Sequence, residues 1–175
     1  MIYKVEGDIL LSKAQAIAHG VGLNDPMDKG LALELHNKYP AMHKDFHRWC
    51  HQHNTKPGEA WLWTGSNNVR IVHLITQESL ETHDHLHGKA TLNNIRHALS
   101  ALVKIIADEK LGSIALPRIA TGVGDLDWDD VLPLIEISLG GLAIPVYIYA
   151  TYIAGKAADE PGVKTFIQLP DVPEE

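Results

Sequence analysis

The chain of 175 residues carries a formal net charge of −7, with 45% hydrophobic and 21% charged residues. This length and this balance are typical of one globular domain with its own core. A chain this acidic lacks the clustered lysine and arginine that a broad nucleic-acid-binding surface needs. The single cysteine excludes an internal disulfide, and no basic start precedes an apolar run. We therefore expect a cytoplasmic protein without a signal peptide or a membrane helix.

The first elements along the chain are two short strands and two helices. Residues 2–5 and 17–19 have strand-like apolar patterns, and the glycines of 20–22 close the second strand. Residues 30–39 form a predicted helix that the following proline stops. A second helix is predicted over 42–53, where apolar side chains recur on one face.

The second half of the chain alternates strands with helices. The clearest helix lies over 91–110, because its leucines and isoleucines step by three and four residues. The other predicted elements, in chain order, are strands at 59–63, 70–75 and 113–116, a helix ending near Leu139, and a strand at 146–150.

This order of elements predicts an α/β fold with a mixed, mostly parallel sheet and helices on both faces. Ligands of such folds bind outside the carboxyl ends of the strands. We expect one domain over 1–154. Residues 155–175 are a weakly patterned C-terminal tail whose packing the sequence does not indicate.

A glycine-rich loop follows the predicted strand at 113–116. Gly122 and Gly124 can adopt positive φ without a Cβ clash, which would let successive N–H groups form a nest for an anion. The next helix would add its positive N-terminal end. The alternative is a plain turn between strand and helix. The two glycines alone favour the anion nest and the plain turn equally.

Three further segments stand at strand or helix ends. Asp8 follows the first strand, where a carboxylate can accept from an exocyclic amine or simply stabilise a turn. His19 ends the second strand, where it can act as a general acid or base or simply form a hydrogen bond with a backbone carbonyl. Residues 28–32 open a helix whose N–H groups can bind a phosphate or a ribose hydroxyl.

The histidine-rich segment 83–87 offers imidazole and carboxylate ligands to a metal ion. No matching cluster with ligand spacing lies elsewhere in the sequence. A solvated loop is therefore the better interpretation, and we expect neither a metal nor a cofactor.

Taken in order, these segments resemble the macrodomain family, the ADP-ribose-binding fold. The resemblance covers about residues 2 to 150 and implies a three-layer α/β/α architecture with a six-stranded sheet. The matching segments are Gly7 to Leu10, Ala16 to His19, Lys29 to Ala32, Tyr39-Pro40, Pro57-Gly58, Leu74 to Thr76, Leu116 to Ile119, Gly122 to Gly124 and Leu126 to Trp128.

The resemblance implies a role for each matched position. Asp8 and the Ile9 backbone would bind adenine, and Tyr152, after the last strand, would cover it. The residues implied to flank the distal ribose are Gly20, Val21, Gly30 and Leu31. Those implied to wrap the diphosphate are Ala120, Thr121, Gly122, Val123 and Gly124.

The pattern is similar to the branch that holds terminal ADP-ribose glycohydrolases and yeast-type ADP-ribose-1''-phosphate phosphatases. The glycohydrolases use a lysine where this chain has Gln77, and a carboxylate where it has Gly124, with Asp125 one residue later. The phosphatases keep a histidine where this chain has His19. Phosphate removal with His19 as general acid or base is thus the first hypothesis. Asp125 is the second candidate catalytic residue, and it favours cleavage of ADP-ribose from a modified macromolecule.

Two alternatives stay open. One is a hydrolase that releases ADP-ribose from modified protein or nucleic acid, and the other is a reader without turnover. The expected partners are ADP-ribose or a derivative and an ADP-ribosylated protein, with nucleic acid only as a modified substrate.

Overall fold

The computed structural model describes residues 1–78 and 88–163. Its strands are β1 (Ile2–Gly7), β2 (Ala16–Val21), β3 (Ala60–Thr64), β4 (Arg70–Ile75), β5 (Ile114–Pro117) and β6 (Val146–Tyr152). Its helices are α1 (Gly30–Lys38), α2 (Pro40–His53), α3 (Leu92–Asp108) and α4 (Trp128–Leu139), with short 3₁₀ helices at Ile9–Leu11 and Ser66–Asn68.

The six strands form one sheet in the order β1-β6-β5-β2-β4-β3. The neighbours from β1 to β4 pair parallel, and β3 pairs antiparallel with β4 at the edge. The predicted mixed, mostly parallel sheet is confirmed. Five carboxyl ends therefore meet at one edge, and the loops that follow β1, β2, β4, β5 and β6 all begin there.

Helices α3 and α4 cover one face of the sheet. Thr91 begins α3 by accepting a hydrogen bond from Asn94 N at 3.1 Å, as an N-cap residue does. The predicted stripe of α3 is buried from Ile95 to Ile106, while Leu92 in the first turn is 40% exposed. This stripe packs with alternate residues of β2, β4, β5 and β6 in one large apolar cluster.

Helices α1 and α2 cover the other face over β2, β4 and β3. Leu35, Met42 and Phe46 are fully buried there. Cys50 lies on the same face of α2 and is 7% exposed. It is a core residue, as its position on the apolar face predicts.

Three predicted boundaries differ from the structure. Gly20 and Val21 lie inside β2, because β4 pairs with that strand through Val21. Tyr152 ends β6 and does not follow it, since it pairs with Gly7. Pro40 begins α2, where a proline at the first helical position loses no intrahelical hydrogen bond.

Residues 155–163, the first part of the predicted tail, lie against β1 and β6. Ala158 and Val163 pack on a small cluster with Val5 and Tyr147. Across the two described ranges, the structure contains no helix that is long and apolar enough to cross a membrane.

Candidate functional site

A cavity of about 230 Å³ opens at the carboxyl edge of the sheet, between the ends of β2 and β5. Its walls come from the loop before α1, the first turn of α1 and the loop after β5. It brings together many predicted residues with several others, namely His19, Gly20, Asp25, Lys29, Gly30, Leu31, Ala32, Gln77, Pro117, Arg118, Ile119, Ala120, Gly122, Val123 and Gly124. The position matches the rule for open α/β sheets.

The loop after β5 does not use its glycines as predicted. Ala120 and Asp125 hold the positive φ angles, 64° and 62°, and neither Gly122 nor Gly124 does. The loop closes on itself, because Leu126 N donates to Ala120 O at 3.0 Å. A Cβ on Gly124 would lie 2.7 Å from Ala120 O, whereas one on Gly122 would meet nothing within 4 Å. Gly124 thus permits close packing of the loop backbone, and the space beside Gly122 is unoccupied by protein atoms.

The start of α1 forms the facing wall. Gly30 has φ 56°, and a Cβ there would meet nothing within 4 Å. The preceding loop is held by Asp25, a buried residue without a role in the sequence-based prediction. Its Oδ2 accepts from Gly22 N at 2.9 Å and its Oδ1 from Met27 N at 2.8 Å. Its spacing of two and three residues to these donors is the local signal of such a turn.

Two cations also line the cavity, Lys29 and Arg118. The Arg118 guanidinium lies 5.5 Å from the centre of the Trp128 ring, within cation–π distance. The sequence pattern predicted phosphate binding by backbone N–H groups and indicated no role for these cations. Lys29 and Arg118 line the same cavity as the start of α1 and the loop after β5, and their positive charge suits an anion.

His19 is buried, and its ring points into the core. Its Nε2 lies 2.7 Å from Nδ1 of His73, which is packed between Phe46 and Trp61. Burial lowers the pKa of His19 to about 4 and that of His73 well below its ordinary value, where the neighbouring His19 adds to the effect. Both rings are therefore neutral at pH 7. The catalytic role of His19 stays a prediction.

Asp125 lies outside the described lining of the cavity. Its side chain is 69% exposed and pairs with Lys89 at 3.5 Å between Oδ2 and Nζ. Its catalytic role also stays a prediction. Thr121 and Val21 are also outside the described lining. Thr121 Oγ1 donates to Arg118 O, and the Val21 side chain is fully buried in the core under α1 and α2.

Gln77 faces the cavity from the end of β4 and is 5% exposed. Its Oε1 is buried, and no donor among the described residues reaches it. A buried amide oxygen without a donor is costly. A ligand hydroxyl or amine in the cavity would supply the missing hydrogen bond.

Asp8, Ile9 and Tyr152 lie farther along the same edge, at the ends of β1 and β6. Ile9 is buried in the cluster of Tyr147, and Leu31 from the cavity wall packs against that cluster. Tyr152 is 59% exposed. These three residues lie outside the described lining of the cavity, and their role in binding adenine stays a prediction.

No group of three histidine, cysteine or acidic side chains in the described ranges is arranged to hold a metal ion. The segment 83–87 lies outside the described residues.

With the geometry established, sequence comparison decides the family. The sequence model of the Macro domain matches residues 18–135, more than half of the chain. The chain belongs to the macro domain family. The family predicted from the ordered motifs is therefore confirmed.

The names of the curated relatives of this macrodomain all include DNA ADP-ribosyl glycohydrolase. The DNA ADP-ribosyl glycohydrolase of Mycobacterium tuberculosis is 28% identical over 131 residues, 75% of this chain and 36% of that protein. A DNA ADP-ribosyl transferase-DNA ADP-ribosyl glycohydrolase fusion protein of Thermosipho africanus is 27% identical over 157 residues, 83% of this chain and 40% of the fusion. The chain thus spans less than half the length of these relatives.

Solved structures agree on the fold. The macrodomain of Thermus aquaticus DarG superimposes with a TM-score of 0.75 at 23% identity, covering 86% of this chain and 98% of that one. Thermosipho africanus DarTG, solved in complex with ADP-ribose, has the same TM-score at 24% identity, with 89% of this chain and 42% of that one covered. The three-layer α/β/α architecture is confirmed.

Proposed function

We propose that this macrodomain binds the ADP-ribosyl group in the cavity between β2 and β5. The observation that carries the proposal is the cavity wall, in which Gly30 and Gly122 leave open space beside the start of α1 and the loop after β5. Backbone N–H groups at such places bind phosphate without a basic surface. Lys29 and Arg118 add positive charge to the cavity of an otherwise acidic protein, which favours binding of a diphosphate.

The proposed reaction is hydrolysis of the bond that links ADP-ribose to a modified nucleic acid. The names of the curated relatives support this substrate. Water would attack C1'' of the distal ribose, the glycosidic bond would break, and the released base would take the proton. His19 gives little support to the phosphatase hypothesis, because a ring with a pKa of about 4, bound to His73, is a weak base and is not an imidazolium at neutral pH.

Asp25 is the residue we assign to the reacting end of the cavity. It is the carboxylate in the described cavity wall, and its two backbone hydrogen bonds hold it in one orientation. A carboxylate in this position orients the attacking water. Tyr152, Asp8 and Ile9 keep the adenine roles that the family resemblance implies.

A reader without turnover is the second candidate, and Gln77 favours it. An amide at this position cannot form the covalent intermediate that a lysine forms. Its unpaired Oε1 is instead suited to accept a hydrogen bond from a bound ligand.

One experiment separates these candidates. The protein is incubated with an oligonucleotide that carries ADP-ribose on a base and, in parallel, with ADP-ribose-1''-phosphate, while calorimetry measures binding of free ADP-ribose. The hydrolase predicts binding and release of ADP-ribose from the oligonucleotide. In Asp25→Asn, release should fall at least about tenfold. Because the amide nitrogen cannot accept from Gly22 N or Met27 N as a carboxylate oxygen does, binding of ADP-ribose is measured in the same variant, and a fall in release larger than the fall in binding assigns Asp25 to the reaction.

Each of the remaining outcomes contradicts one part of the proposal. Binding without any release indicates the reader, and Gln77→Lys then tests whether a lysine restores turnover. Phosphate release from ADP-ribose-1''-phosphate would reinstate the phosphatase. Absence of ADP-ribose binding would overturn the proposed function altogether.

A further inference from the structure

The segment that follows β6, here called the C-terminal strap (residues 153–161), runs across the end of β1. Ile153 N donates to Gly7 O at 3.1 Å, and Lys156 N donates back to Ile153 O at 3.2 Å. Gly155 has φ 71°, which allows the chain to turn there. The strap therefore lies beside Asp8, the residue next in the chain after β1.

The strap holds the Asp8 carboxylate from one side. Gly155 N donates to Oδ2 at 3.1 Å, while Leu10 N donates to Oδ1 from the other side at 3.1 Å. Asp8 N in turn donates to Lys156 O at 2.7 Å. Each carboxylate oxygen retains a second lone pair. The strap thus fixes where those remaining lone pairs point.

The strap packs directly on the backbone of β1. A Cβ on Gly7 would lie 2.7 Å from Lys156 O and 2.9 Å from Ala158 N. Any side chain at that position would push the strap away. Close packing of this kind makes the position of Asp8 dependent on the position of the strap.

Glu160 anchors the far end of the strap. Its Oε1 accepts from Lys13 N at 2.8 Å, and its Oε2 accepts from Ser12 Oγ at 2.6 Å and Tyr149 Oη at 2.9 Å. Three donors on one carboxylate join the strap to the loop before β2 and to β6. Hydrogen bonds to a charged acceptor are among the stronger ones in proteins.

We infer that Glu160 is a positioning residue for base selectivity, because it anchors the strap that orients Asp8. This inference rests on the proposed function, in which Asp8 accepts a hydrogen bond from the adenine amine. A fixed carboxylate accepts from an amine and repels a carbonyl oxygen at the same place. Adenine would therefore be preferred over hypoxanthine, which carries a carbonyl in place of the amine.

The test compares ADP-ribose with inosine diphosphate ribose by calorimetry. The wild-type protein should prefer ADP-ribose about tenfold or more. In Glu160→Ala the preference should fall to about threefold or less, chiefly through weaker binding of ADP-ribose. Tyr149→Phe, which removes one of the three donors to Glu160, should give an intermediate preference. Glu136→Ala, on the exposed side of α4, is the matched control and should keep the wild-type ratio.

The outcomes are distinguishable. Equal weakening of both ligands, or an unchanged ratio in Glu160→Ala, would overturn the role of Glu160 while leaving ADP-ribose binding intact as a property of the wild type. If Glu160→Ala does not fold, Tyr149→Phe decides by the same ratio. Failure of the wild type to bind ADP-ribose would instead overturn the proposed function and the inference together.

Discussion

In the loop after β5, Gly122 and Gly124 have different roles because different atoms lie beside them. Two glycines at 122 and 124 indicate a tight loop, but which of them tolerates a side chain depends on what packs nearby. The structure gives Gly124 a backbone neighbour and leaves Gly122 open. The positive φ falls on Ala120 and Asp125, and no residue-type rule singles out an alanine for that conformation.

Gly124→Ala should destabilise the protein by about 1–3 kcal/mol, because the added Cβ would overlap Ala120 O and force the loop to shift. Urea denaturation measures the change in the free energy of unfolding. Gly141→Ala is the control, since a Cβ there meets nothing within 4 Å. Equal stability of the two variants would contradict the close packing of Gly124.

The paired rings of His19 and His73 predict a pH-dependent stability. Their pKa values are lowered in the folded state, chiefly by burial, so the unfolded chain binds more protons below its ordinary histidine pKa of about 6.5. The contribution of these two histidines to the free energy of unfolding is therefore complete above about pH 6.5 and falls as the pH drops toward 4. The slope approaches about 1.4 kcal/mol per pH unit for each histidine.

Replacing both histidines by glutamine should flatten this dependence between pH 7 and 5, as measured by urea denaturation at each pH. His43 stays in both proteins and keeps a slope of the same sign, because burial, His47 and His36 lower its pKa. His97→Gln, on the exposed side of α3, is the control. An undiminished slope in the double variant would refute the buried neutral pair.

At the scale of elements, the sequence pattern predicted the four α-helices and six strands of the described residues in the right order, but neither 3₁₀ helix, and the element boundaries were least accurate. The α3 stripe was clear because a long helix repeats its apolar step many times. Short strands repeat too little to define their ends, so β2 and β6 extend further than predicted, to Val21 and Tyr152. Pairing with a neighbouring strand sets those ends, and the sequence does not show pairing.

The N-terminus of α3 gives a prediction at this scale. Thr91 accepts from Asn94 N at 3.1 Å, and its loss in Thr91→Ala should lower the free energy of unfolding by about 0.5–2 kcal/mol. Thr91→Ser keeps the hydroxyl and should stay close to wild type. Similar losses in both variants would mean that the methyl group, and not the cap, matters.

For the whole molecule, the ordered motifs predicted a site at the carboxyl edge of the sheet, and the structure has a cavity there, between the ends of β2 and β5. What they missed were contacts between residues distant in sequence. His19 and His73 lie 54 positions apart, and Glu160 is 148 positions from Ser12. The described part of the tail, residues 155–163, is held mainly by backbone groups and the Glu160 carboxylate, with Ala158 and Val163 as its apolar contacts. Such contacts need no apolar repeat, so the sequence shows no periodicity there.

The central claim is that the edge formed by the ends of β2 and β5 binds ADP-ribose. An amide chemical-shift titration of the labelled protein with ADP-ribose tests both the binding and its place. The predicted result is saturable shifts concentrated in residues 20–31 and 118–126, with smaller ones near Asp8. Absence of shifts at millimolar ligand, or shifts confined to the opposite edge of the sheet, would contradict the account.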